Sequence, residues 1–307
     1  MSGVKTKSEI YKKTEDSKRA FYKIAYVITS MRPKQWIKNG FVFAGLIFSK
    51  SFFKPESIFR SICAFMLFSL VSGSVYIIND IIDRKRDALH PKKRFRPIAS
   101  GNLQTHEAMV CALITLTISL VVAFLLDILF SIILVLYFVQ AVVYSISLKN
   151  VVIIDVILIA TGFVLRTAGG AVVLHVRISP WLIVCTTLLA LFLALNKRKN
   201  ELLVLSKNAG SHRKILKEYT PELIDQMLSV VTPTTLISYA LYTFNAEKSY
   251  CMMLTIPFVL YGIFRYQYLA STRDMGGSPE LALLNDKPLL INIVLWVIAS
   301  IVIVASD

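Results

Sequence analysis

An apolar run at residues 57–82 leads into a cluster of charge, which reads Asn79-Asp80-Ile81-Ile82-Asp83-Arg84-Lys85-Arg86-Asp87-Ala88-Leu89-His90-Pro91-Lys92-Lys93-Arg94-Phe95-Arg96-Pro97. Three carboxylates and one amide lie here among seven cations. On a helix that advances roughly 100° per residue, the amide and the carboxylates fall within about 100° of one another, and Tyr76 lies among them. Charge of this density at the end of a membrane-spanning helix is typical of a functional site. A solvated loop that only fixes the topology is the alternative.

The clustered oxygen donors predict a site for a hard divalent cation. Magnesium is usually held by one or two carboxylates together with substrate phosphates. We therefore expect Mg²⁺ ligands among Asn79, Asp80, Asp83 and Asp87, with the three aspartates as the catalytic carboxylates. A zinc or haem centre has little support, because the four histidines and four cysteines are scattered without ligand spacing.

Composition places the chain among multispanning membrane proteins. Its 307 residues are 55% hydrophobic, with a mean hydropathy of +0.63 and a net charge of +15, which is too apolar for an ordinary soluble domain. Nine apolar runs approach the roughly 20 residues that cross a bilayer, at 38–53, 57–82, 105–125, 128–148, 151–174, 180–196, 228–246, 250–269 and 288–305. The sequence therefore predicts an all-α membrane bundle of about nine transmembrane helices.

Lysine and arginine are distributed unevenly between alternate connections of this bundle. The side of the N-terminus carries 28 of them and the other side carries five, while Arg166 lies inside a span. By the positive-inside rule, the N-terminus, the charged cluster and the loop at 197–227 face the cytosol, and the C-terminus lies outside. Residues 1–35 are expected to form a cytosolic segment with an interfacial amphipathic helix over 8–30, and residues 36–307 the transmembrane catalytic domain.

Arg166 is predicted to lie roughly 16 Å deeper than Asp155, at about the same helical azimuth. An arginine at that depth should face the interior of the bundle and meet an anion. A structural ion pair with Asp155, or contacts with backbone carbonyls, is the alternative. An anionic ligand as the partner would make Arg166 part of a binding site.

Metal-binding carboxylates on one helix and cations on several others fit a diphosphate substrate, whose departure as pyrophosphate they would stabilise. The membrane location indicates a lipid as the second substrate. We find no activated serine or cysteine nucleophile and no Walker loop. A lipid phosphate needs neither, because it is already a nucleophilic anion.

The pattern Asn79-Asp80-x-x-Asp83-x-x-x-Asp87, on the second of nine predicted helices, resembles the UbiA-type intramembrane prenyltransferases. Other motifs are similar to the branch of that superfamily that acts on polyprenyl phosphates as a phosphoribosyltransferase. They span roughly residues 30–290 and are Arg32 to Asn39, His90-Pro91-x-Lys93, Arg96 to Gly101, Tyr144-Ser145, Leu148-Lys149, Gly162 to Arg166 and Glu218 to Pro221.

The resemblance to this branch implies a different donor from that of most relatives. Prenyltransferases that use isoprenyl diphosphates commonly carry a second Asp-x-x-x-Asp motif, whereas here Asp155 is followed four residues later by Ile159. The resemblance therefore implies phosphoribosyl diphosphate (PRPP) as donor and a polyprenyl phosphate as acceptor, with Mg²⁺ as cofactor and pyrophosphate as the second product. It also implies a bacterial inner membrane, a role in making a lipid-linked arabinofuranosyl donor for cell-wall polymers, and no nucleic-acid partner.

The same resemblance suggests which side chains contact the substrates. The expected substrate-binding residues are Lys34, Tyr76, Lys93, Arg96, Tyr144, Lys149, Asp155, Arg166 and Lys197. Among them Arg96 or Arg166 is the candidate for the ribose 5-phosphate or the lipid phosphate. Two alternatives stay open at this point: a prenyltransferase that joins a polyprenyl diphosphate to an aromatic acceptor, and a membrane transporter that uses the charged cluster as an ion site.

Overall fold

The computed structural model describes residues 22–91, 93–207, 214–245, 250–272 and 275–306. Within these ranges every regular element is an α-helix or a 3-10 helix. The part of the predicted interfacial helix at residues 8–21 lies outside the described residues, and residues 22–30 form a helix, α1.

The remaining α-helices are, in chain order, α2 (Ala44–Ile47), α3 (Pro55–Ile82), α4 (Arg84–Ala88), α5 (Thr105–Leu126), α6 (Ile128–Ile146), α7 (Ile154–Val172), α8 (Pro180–Lys207), α9 (Pro221–Asn245), α10 (Ile256–Thr272), α11 (Pro279–Asn285) and α12 (Lys287–Ser306). Short 3-10 helices lie between them, at Pro33–Phe43, Lys50–Phe53, Lys93–Phe95, Leu148–Asn150, Lys214–Lys217, Tyr250–Thr255 and Met275–Gly277.

Seven of the described helices, α3, α5, α6, α7, α8, α9 and α12, are long and apolar enough to cross a membrane. The two other predicted spans differ. Residues 38–53 combine 3-10 turns with the four-residue α2, and residues 250–269 contain the 17-residue α10 after a 3-10 turn. The predicted all-α membrane bundle is confirmed, with nine as an approximate count of its spans.

Helix α3 packs against α5, and α8 packs against both α7 and α9. The 3-10 segment Pro33–Phe43 lies against α3 and α7. That segment approaches α7 very closely at Gly170, where a Cβ atom would lie 1.9 Å from the Val42 carbonyl oxygen. Only glycine leaves room for this contact. Large apolar side chains stay exposed along α5, α6 and α12, including Leu125, Leu129 and Val302, as expected of a surface that faces lipid.

The charged cluster begins at the end of α3. This helix ends at Ile82, Asp83 has φ −87° and ψ 4°, and α4 begins at Arg84. The prediction of one continuous helix through residues 79–87 is therefore wrong at Asp83. Helical backbone bonds still join Asp83 N–H to the Asn79 carbonyl at 2.9 Å and Asp87 N–H to the Asp83 carbonyl at 2.8 Å, so the chain keeps its direction.

Candidate active site

A cavity of about 760 Å³ lies inside the bundle and is lined by the first 3-10 segment, α2, α3 and every α-helix from α6 to α12. Part of its wall is aromatic: the ring centroids of Phe48, Tyr239, Tyr242 and Trp296 lie 5.5 to 6.4 Å from their neighbours. Apolar walls of this kind accept hydrocarbon. The cavity therefore has room for part of a lipid chain.

Charged side chains also reach the cavity wall, and cations dominate among them. In the described part of the chain, four cations line the wall, Arg32, Lys38, Arg166 and Lys197, against the single carboxylate of Glu280. An excess of cations in a water-poor site is costly unless anions arrive to neutralise it. The arrangement suits a ligand with several negative charges.

Asp80 and Asp87 are both buried and are joined by one guanidinium. Arg96 Nη1 lies 3.0 Å from Asp80 Oδ1 and 2.5 Å from Asp87 Oδ2. Arg32 also donates to Asp80, and its guanidinium lies 4.9 Å from the centre of the Tyr76 ring. Arg96 thus ties the loop after α4 to the end of α3.

Asp83 turns towards a different cation. Lys149 Nζ lies 3.1 Å from Asp83 Oδ2, and Arg86 Nη1 lies 3.7 Å from Asp83 Oδ1. Lys149 is buried, and its segment between α6 and α7 is brought to the end of α3 by this pair.

Asp155, at the start of α7, is completely buried and takes its partners from α8 and the loop that follows. Arg198 Nε donates to Asp155 Oδ2 at 2.7 Å, and Tyr219 Oη donates to Asp155 Oδ1 at 2.7 Å. The Tyr219 oxygen accepts the Ile153 N–H at 2.8 Å, where φ is +68°. Burial, together with the hydrogen bond to Asp155, raises the pKa of Tyr219 above its ordinary value. Asp155 therefore joins α7 to α8 and is not part of the cavity wall.

Arg166 is buried and lines the cavity. It donates to Asn39 Oδ1 at 2.6 Å, to the Gly162 carbonyl at 2.7 Å and to Tyr137 Oη at 2.7 Å. The suggested ion pair with Asp155 is wrong, because Asp155 pairs with Arg198, whereas the suggested backbone carbonyl contact is confirmed at Gly162. A guanidinium has five N–H donors, and these contacts use three, so Arg166 keeps donors for a ligand.

The other predicted contacts fall into two groups. Tyr76, Tyr144 and Lys197 line the cavity, and within the described residues the Lys197 side chain has no ion pair or hydrogen bond. Lys34 and Lys93 are exposed and do not line it. Their roles stay predictions.

Residues 40–285 match the model of the UbiA prenyltransferase family. The chain belongs to this family.

Curated relatives within the UbiA family include decaprenyl-phosphate phosphoribosyltransferases. The protein of that name from Corynebacterium glutamicum is 31% identical over 281 residues, which cover 88% of this chain and 84% of the relative. The one from Mycolicibacterium smegmatis is 28% identical over 290 residues, which cover 89% and 91%.

Solved UbiA structures share the fold. A UbiA homolog from Archaeoglobus fulgidus bound to GPP and Mg2+ superposes with a TM-score of 0.71 at 18% identity, covering 91% of this chain and 99% of that one. A digeranylgeranylglyceryl phosphate synthase gives a TM-score of 0.68 at 18% identity, covering 93% and 99%.

The oxygen donors of this UbiA chain fit one kind of magnesium site. In the part of the chain that the structure describes, no three acidic, histidine or cysteine side chains converge as a metal cage. Asn79 lines the cavity and Asp83 follows one helical turn later. One amide and one carboxylate beside a cavity suit a magnesium ion whose other ligands are substrate phosphates and water.

Three charged residues of the cavity wall, Arg32, Lys38 and Glu280, are not among the contacts predicted from the sequence. Arg32 and Lys38 belong to the basic motif at 32–39, in which the sequence predicts only Lys34 as a substrate contact. Glu280 lies on α11 in a connection without any recognised motif; Gln35 Nε2 donates to its Oε1 at 2.5 Å and Lys38 Nζ lies 3.3 Å from its Oε2. Burial alone would raise the pKa of Glu280, but the nearby Lys38 ammonium and the hydrogen bonds it accepts lower it below the usual range.

Proposed function

We propose that this protein transfers 5-phosphoribose from PRPP to a polyprenyl phosphate and releases pyrophosphate. The observation that carries the proposal is the cavity wall, where four cations face a single carboxylate beside an apolar, aromatic surface. A polyanionic donor and a lipid phosphate together match both parts of that wall. The names of the curated relatives support the same pair of substrates.

In the proposed reaction an oxygen of the lipid phosphate forms a bond to ribose C1 from the face opposite the diphosphate. The bond between C1 and the pyrophosphate oxygen breaks, and its electron pair leaves with pyrophosphate. Lys38 and Lys197 stabilise the charge that grows on the leaving group, because fixed cations in a dry site act strongly on developing charge. No general base is needed.

Arg166 is the proposed partner of the lipid phosphate. Asn39, Tyr137 and the Gly162 carbonyl hold its guanidinium in place, and Arg166 lines the cavity with N–H donors that these three contacts do not use. The aromatic wall around Trp296 then accepts the first isoprene units. This placement keeps the nucleophilic oxygen beside the charged end of the cavity.

Magnesium would be held by Asn79 and Asp83, with Asp80 or Asp87 as a further ligand, and when bound it would neutralise charge on the diphosphate. Tyr76 and Tyr144 contact the donor in this proposal. Lys149, Arg96 and Asp155 support the site through their ion pairs, and Lys34 and Lys93 would meet phosphate only at the mouth of the cavity.

The charge asymmetry supports a location in a bacterial inner membrane, with the charged end of the cavity facing the cytosol, where PRPP would be available. Residues 36–307 form the catalytic domain in this proposal, and residues 1–35 are a cytosolic segment that precedes it.

The direct test incubates purified protein with PRPP, polyprenyl phosphate and Mg²⁺, and follows pyrophosphate release and the lipid product by mass spectrometry. We expect a phosphoribosyl lipid that forms with Mg²⁺ and disappears with EDTA. Such a product excludes pure transport. Turnover of a prenyl diphosphate with an aromatic acid, without any reaction of PRPP, would assign the protein to the prenyltransferase alternative.

A further inference from the structure

Glu280 is the single carboxylate of the described residues that lines the cavity. It lies on the short helix α11, between α10 and α12, and is only 7% exposed. A carboxylate repels phosphate. Glu280 should therefore contact a part of the ligand other than its phosphate groups.

The carboxylate of Glu280 has unused capacity to accept hydrogen bonds. Oε1 accepts from Gln35, while Oε2 has no hydrogen-bond partner among the described residues and only the ion-pair contact with Lys38 at 3.3 Å. An ionised carboxylate has about four lone-pair sites. Oε2 can therefore accept a further hydrogen bond, and because Glu280 lines the cavity, a ligand there can supply the donor.

The missing partner should be a neutral donor of hydrogen bonds. Phosphate oxygens only accept at neutral pH, and an isoprenoid chain has no polar hydrogen. The ribose ring oxygen also only accepts, so the 2- and 3-hydroxyl groups of ribose are the remaining hydrogen-bond donors in the two proposed substrates. Lys38, beside Glu280, is at the same time placed for the donor's phosphates, so the pair can bind the sugar and its charged substituent together.

We infer that Glu280 accepts hydrogen bonds from the ribose hydroxyls of the donor and so selects a ribosyl diphosphate over an isoprenyl one. This inference rests on the proposed function. The competing explanation is structural: Glu280 only fastens α11 to the 3-10 segment through Gln35 and Lys38.

The test compares three donors, PRPP and its 2-deoxy and 3-deoxy analogues, with the wild-type protein and with Glu280→Gln and Glu280→Ala. For wild type we expect removal of the contacted hydroxyl to lower kcat/KM roughly 10- to 100-fold, the range of a hydrogen bond to a charged group. In Glu280→Ala the same removal should cost almost nothing, with Glu280→Gln between the two. The KM for polyprenyl phosphate should stay within about twofold of the wild-type value.

Asp286→Asn is the matched control. Asp286 is a buried carboxylate just after α11 that pairs with Arg265 at 2.8 Å and does not line the cavity. Its loss should lower the melting temperature and leave the ratio between donors unchanged. Where a Glu280 variant turns over too slowly, the same ratio is obtained from the dissociation constants of the three donors by thermal shift.

The outcomes separate the two proposals. A wild-type enzyme that uses PRPP, with donor ratios that stay the same in both Glu280 variants, overturns the inference on Glu280 and leaves the proposed function intact. A wild-type enzyme that makes no product from PRPP overturns both. Loss of the ratio in Glu280→Ala, but not in Asp286→Asn, establishes the hydroxyl contact.

Discussion

Lys197 and Lys199 lie two residues apart on α8, in opposite surroundings. Lys197 lines the cavity, and Lys199 pairs with Asp225 at 2.6 Å on the surface. We predict that Lys197→Gln lowers kcat/KM for PRPP roughly 10- to 100-fold, because a charged hydrogen bond to phosphate is lost. The melting temperature should not fall, because Lys197 has no ion-pair partner within the described residues. Lys199→Gln is the control; an equal loss of activity in both variants would contradict the assignment.

Asp83 is the carboxylate whose role as a magnesium ligand is most open to test. We predict that Asp83→Asn reduces turnover at least 100-fold while the protein still elutes as a folded species, because the amide retains a contact with Lys149 but lacks the charge that binds magnesium. Steady-state assays over a range of Mg²⁺ concentrations measure the effect. Asp225→Asn, on the exposed surface, is the control and should keep activity near wild type. Activity near wild type in Asp83→Asn would contradict the assignment of Asp83 as a magnesium ligand.

The charged side chains of the candidate site were easier to predict from the sequence than the partners with which they pair. The oxygen donors at residues 79–87 and the buried arginine at 166 were recognisable from charge within apolar runs. The partners were not, because Arg96 and Arg32 reach Asp80 from separate segments and Arg198 reaches Asp155 from another helix. Such pairings depend on tertiary packing, which spacing along one helix does not contain. Glu280 had no local signal at all.

The first 3-10 segment and α7 approach each other so closely at Val42 and Gly170 that no atom can be added between them. We predict that Gly170→Ala destabilises the protein by about 1–3 kcal/mol or more, because a methyl group would overlap the Val42 carbonyl and push the segment away. Gly40→Ala, in the same 3-10 segment, has no atom within 4 Å of the new Cβ and serves as control. Thermal unfolding in detergent measures both; equal melting temperatures would argue against the close contact.

The length of the apolar runs predicted the position of most helices, with a few exceptions. The span predicted at 38–53 is mostly 3-10 helix, and α3 ends at Ile82 before the charged cluster is complete. Both departures occur where the chain borders the cavity or the charged cluster, and hydrophobicity gives no information on helix type there.

The orientation of the whole molecule is a prediction from charge that labelling can test. In a cysteine-free background we expect Arg177→Cys, in the exposed connection between α7 and α8, to react with a membrane-impermeant maleimide on intact cells. Asn102→Cys, exposed between α4 and α5, should react only after the membrane is opened. The reverse pattern would place the charged cluster outside and remove the access to cytosolic PRPP.

The segment just before α11, the helix that carries Glu280, also packs against α8. A Cβ atom at Gly277, just before α11, would lie 2.5 Å from Asn200 Oδ1 on α8. A residue with a side chain at position 277 would therefore push α11, which carries Glu280, away from α8, which carries Lys197, and would change the spacing of the two charged groups across the cavity.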